Sequence, residues 1–133
     1  MKRLAVLLGV LAFAGCGAEA QPSSVDNFQG EQRVVAQKVE DLQEAGEGRN
    51  PEDICSEILA ESLVQQLEAA GADCADEMEK AIDDADDFDL DVVEVTISGS
   101  TATAEVRRGE DGATETMEFT REGDQWRATS LSS

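Results

Sequence analysis

Chemistry in this 133-residue chain rests on three cysteines, Cys16, Cys55 and Cys74, and on the aspartate run Asp83-Asp84-Ala85-Asp86-Asp87-Phe88-Asp89-Leu90-Asp91. A thiol can be acylated, oxidised to a disulfide or deprotonated to bind zinc. Clustered carboxylates are hard oxygen ligands suited to calcium. The chain contains no histidine and no tyrosine. The usual base of serine and cysteine hydrolases and the commonest metal ligand are therefore both missing. With 30 acidic against 10 basic residues and a net charge of −20, it lacks the clustered cations that phosphate backbones require, so nucleic acid is not an expected partner.

Asp87-x-Asp89-x-Asp91 imitates the start of an EF-hand loop, but Val92 stands where the loop needs glycine and Ser98 where it needs a bidentate glutamate. The run is read as a solvated acidic linker, with weak calcium binding as the alternative, and no metal site or cofactor is assigned.

Lys2 and Arg3 precede an apolar stretch from Leu4 to Ala12, which is followed by Phe13-Ala14-Gly15-Cys16. The stretch is too short to span a bilayer and has the length of a signal-peptide core. Its ending resembles the lipobox of bacterial lipoproteins, with Phe13 in place of the usual leucine. That resemblance implies removal of residues 1–15, a diacylglycerol on the Cys16 thiol and frequent acylation of the new amino group. The expected location is the extracytoplasmic side of the cell membrane. In a cell with two membranes it is the outer one, because Gly17 rather than aspartate follows the cysteine. The alternative is an ordinary secretory signal cut nearby at Gly17-Ala18-Glu19-Ala20. Cleavage would remove two cations and no acid, deepening the negative charge, so the acyl chains must hold the protein against repulsion from anionic headgroups. Residues 16–27, small and polar, read as a lipidated flexible tether, and residues 28–133 as one domain.

With Cys16 assigned to lipid, an even pair remains in an exported chain, and Cys55–Cys74 is expected as a disulfide. Two thiolates without histidine are too few for zinc, and the spacing is not that of a redox Cys-x-x-Cys motif.

The domain reads as helices, then strands. Phe28, Val35, Val39 and Leu42 recur at helical spacing over 28–45, and Gly46-Glu47-Gly48 ends that helix. Asn50 as N-cap with Pro51 at the first position starts a second helix through Ile54, Cys55, Ile58, Leu59, Leu63 and Leu67 to Gly71. Asp73 caps a third, carrying Cys74, Met78, Ile82 and Ala85. From Asp89 the period is two. Val93, Val95, Ile97, Ala102, Ala104, Val106, Met117, Phe119, Trp126 and Ala128 form the expected inward face, with turns at Gly99, Gly109 to Gly112, and Gly123. The fold class is α+β: two to three helices on a curved four-stranded antiparallel sheet. Trp126 is read as core rather than as a ligand platform, Met78 and Met117 as core fillers, Arg127 as an outward cation with a carboxylate partner, and Arg107-Arg108 as too small for an anion patch.

The N-terminal helices with the Cys55…Cys74 pair around them, the stretch from Val93 to Val106 with its Ser98-Gly99-Ser100 turn, and the ending Gly123-Asp124-Gln125-Trp126-Arg127 together resemble the nuclear transport factor 2-like superfamily, in particular its small bacterial lipoproteins of unknown function. The likeness spans residues 28–131 and implies a cone-shaped fold that often pairs sheet to sheet as a homodimer. Enzymes of that superfamily combine an acidic base with tyrosine, histidine or a protonated aspartate, and here only carboxylates remain. The expected role is therefore a non-catalytic module that binds a small apolar ligand or an envelope protein. A small isomerase or cyclase using a buried carboxylate is the alternative.

Overall fold

The computed structural model describes residues 24–85 and 88–131. The expected signal peptide, Cys16 and the tether as far as residue 23 lie outside the described residues, as do Asp86 and Asp87 of the acidic run. No helix among the described residues is long and apolar enough to cross a membrane.

The class is α+β, with four helices where two or three were expected. A 3-10 turn, Ser24–Asn27, precedes α1 (Gly30–Glu47), and Val25 in that turn is buried. The packed domain therefore starts within the stretch assigned to the tether, because one valine has apolar surface to bury. α1 places Val35, Ala36 and Val39 in the core, as its spacing requires.

The expected long second helix is interrupted. α2 (Pro51–Asp53) runs into a π-helical turn, Ile54–Ile58, which ends with the Leu59 N–H donating to the Ile54 carbonyl at 2.9 Å. Leu59 then bridges Ala128, and the Ala60 N–H donates to the Ala128 carbonyl at 2.8 Å before α3 (Glu61–Ala69) begins. A strand has taken the hydrogen bond that helix continuation would have used. Asn50 does not cap: its Nδ2 donates to Asp53 Oδ2 at 2.5 Å. Asp73 does cap α4 (Cys74–Asp84), its Oδ1 accepting from the Asp76 N–H at 3.2 Å. Cys55 and Cys74 form the expected disulfide across a sequence separation of 19. Closing such a loop is worth roughly 3 kcal/mol in the chain-entropy account, and it ties the π-turn to the first residue of α4.

The sheet is an antiparallel meander in the order β1 (Leu90–Ser98), β2 (Thr101–Arg108), β3 (Thr114–Glu122) and β4 (Gln125–Ser130). Two-residue loops join β1 to β2 and β3 to β4, with Gly99 at φ 60° and Gly123 at φ 62°, a conformation costly for other residues. One inward assignment is corrected. The register shifts between Val92 and Glu94, so Val92 turns inward and Val93 faces solvent at 51% exposure. A bulge places two successive residues opposite one partner and so breaks the two-residue alternation. Val95, Ala102, Ala104, Val106, Met117, Phe119, Trp126 and Ala128 are buried as expected, and Ile97 is half-buried.

Candidate functional site

At the end of the sheet away from the Gly99 and Gly123 turns, the helices and strands leave an unfilled space of about 230 Å³. α1 supplies Leu42 and Gly46, α4 supplies Met78 and Ile82, and the sheet supplies Val106 and Met117. Phe88, just before β1, and Leu131, just after β4, also line it. Gly46 is needed here: a β-carbon on it would come within 2.5 Å of the Phe88 ring. The removal of side-chain bulk at one helix position thus lets an aromatic ring lie against the α1 backbone and line the space. Met78 and Met117 add polarizable side chains that adapt to irregular contents.

The rim is charged. Arg108 and Glu115 line the same space, with Arg108 Nη2 3.5 Å from Glu115 Oε2. The inward face expected from the sequence was wholly apolar and included neither residue. The signal was present: Arg108 continues the alternation of Ala102, Ala104 and Val106, and Glu115 precedes Met117 and Phe119 at the same two-residue step. Arg107 and Arg108 therefore serve opposite faces, and Arg107 Nη2 donates to Asp91 Oδ2 at 2.5 Å.

The remaining residues singled out from the sequence fall elsewhere. Asp83 pairs with Arg49 and Asp91 with Arg107. Among the described residues no group of three or more acids or cysteines is placed to hold a metal ion. Trp126 is core at 2% exposure, with the Arg121 guanidinium 4.9 Å from its ring centroid. Arg121 also pairs with Glu31 of α1. Arg127 pairs with no carboxylate among the described residues; its Nη1 donates to the Ser56 carbonyl at 2.5 Å, in the π-turn, where a cation is favoured by the exposed carbonyls. Lys80 titrates above the usual lysine range because its Nζ donates to Glu77 at 2.7 Å. It sits on the exposed side of α4, outside the cavity lining.

No polar or charged side chain among the described residues is buried. Glu115 is the carboxylate that reaches the cavity, and it remains 31% exposed and ion-paired. The arrangement can desolvate an apolar body and present one cation and one anion at the opening. No family model, curated protein or solved structure matches the chain, so the geometry of this cavity is what bears on its role.

Proposed function

We propose that this chain is a lipid-anchored, exported envelope module that binds a small ligand with an apolar body between α1, α4 and the sheet. The observation that carries the reading is an apolar space of about 230 Å³, kept open beside Gly46 and fringed by Arg108 and Glu115. Binding sites of this kind are concave and mostly apolar with a few convergent polar groups. The anchor rests on the lipobox resemblance at Cys16, and the cone-shaped nuclear transport factor 2-like assignment on the order of elements. The isomerase or cyclase alternative has less support, since no described carboxylate is buried in the way a proton-abstracting acid requires. Sheet-to-sheet pairing also has little to draw on. The open face presents Glu94, Glu105 and Glu118 among threonines, with Val93 as its exposed large apolar residue.

The test is native mass spectrometry of the full chain purified from the cells that make it. A discrete small-molecule mass that leaves on unfolding is the expected result, together with acyl mass on Cys16. A chain that carries no such mass, and takes up no apolar probe when offered one, would reduce the space to a packing defect.

A further inference from the structure

We infer that the ligand is a cation: a primary amine carried on an apolar body, with Glu115 as its counter-ion. This rests on the cavity being a binding site. Three observations point to the sign of the charge. Of the two rim groups, the acid is set deeper, since the Glu115 side chain is 31% exposed against 46% for Arg108. A ligand inserting its apolar end brings its head group to the Arg108–Glu115 pair, where the carboxylate, already partnered, still offers further acceptor positions.

The two helices that build the floor contribute from their C-terminal ends. Gly46 lies in the last turn of α1, and Ala81 and Ile82 lie in the last turn of α4. Helix C-termini carry partial negative charge and favour cations. Neither helix has a basic residue in its last turn to meet that need. Arg49 reaches Asp83 but is not part of the lining.

The third observation is the field of the whole chain, −20 overall, which concentrates cations at the surface and repels anions. The size of the body follows from volume. A cavity of about 150 Å³ holds benzene, so 230 Å³ takes about nine non-hydrogen atoms by the same scaling.

A matched series separates this proposal from the reading beneath it. 2-Phenylethylamine, 2-phenylethanol and phenylacetate have similar bodies and differ in charge. Each is titrated into the full chain while the methyl signals of Met78 and Met117 are followed by NMR. The amine is expected to bind about tenfold more tightly than the alcohol, the size of one charge-assisted contact at a half-exposed site, and phenylacetate most weakly. Glu115→Gln should bring the amine-to-alcohol ratio close to one, which general attraction to an acidic protein would not do. Arg108→Gln should raise that ratio, since it removes the cation that stands beside the carboxylate and repels the amine. If the alcohol binds and the amine gains nothing, or phenylacetate binds best, the cation proposal fails while the cavity remains a binding site. If none of the three moves those signals, the binding reading itself fails.

Discussion

At the bulge in β1, Val92 is 5% exposed and the adjacent Val93 is 51% exposed. Identical side chains thus face two environments, and the difference is measurable. Val92→Ala removes buried methyl groups and leaves a void, which should cost roughly 2 kcal/mol. Val93→Ala removes surface that is already half wet and should fall within about 0.5 kcal/mol of the parent. Urea denaturation of both variants checks this, and a costlier Val93 would place the bulge elsewhere. The distinction could not be read from the chain, because Val92-Val93 fits either register and nothing in the residues themselves marks the extra one. Arg108 and Glu115 are different. Their inward placement follows from the two-residue step, and the obstacle to seeing it was the expectation that charged residues stay outside. They do stay at the edge, since both lie where the sheet's inner face runs out into solvent.

Edges govern the element scale. An exposed sheet edge invites further strands, and folds protect it with side chains or covering segments. β4 is covered where Leu59 and Ala60 meet Ala128. β1 is guarded by three side chains: Ser24 Oγ accepts from the Val92 N–H at 3.2 Å, Gln43 Oε1 accepts from the Leu90 N–H at 2.9 Å, and Gln32 Nε2 donates to the Val95 carbonyl at 3.0 Å. Gln43→Ala should therefore orphan a partly buried donor at about 1–3 kcal/mol. Hydrogen exchange should quicken at the Leu90 amide first. Unchanged protection there would mean that the Gln43 contact does not hold the strand end. Helix faces and strand runs were legible because each writes its period into a contiguous segment. The break at Leu59-Ala60 was not, because Cys55, Leu59, Leu63 and Leu67 keep a four-residue helical spacing across it. What interrupts the helix is a carbonyl of Ala128, supplied by a strand near the other end of the chain. The same applies to the cavity: its lining residues come from both helices and the sheet, so no single stretch announces it.

Across the whole molecule, repulsion among acids competes with a set of weak ion pairs. The ion pairs among the described residues, such as Arg33–Asp26 and Lys80–Glu77, are mostly between exposed side chains. Such pairs contribute from nothing to about 1 kcal/mol each. Against them stands a net charge of −20 confined to a small chain, which opposes the compact state through self-repulsion. Salt screens both, but with unequal effect: attraction acts over contact distances, whereas the excess negative charge acts over the span of the domain, within reach of a Debye length of about 30 Å at low ionic strength. The thermal midpoint should therefore rise as sodium chloride is raised from about 10 mM to 1 M, where that length falls to about 3 Å. A falling midpoint would show that the ion pairs outweigh the repulsion. Glu94 and Glu105 localise part of this term, since they are exposed and directly opposite across β1 and β2. Like charges in that position destabilise a sheet by a few tenths of a kcal/mol. Glu94→Gln should thus raise the midpoint at low salt and converge with the parent at high salt. A gain that persists at 1 M would mean that packing at that position, and not charge, was relieved.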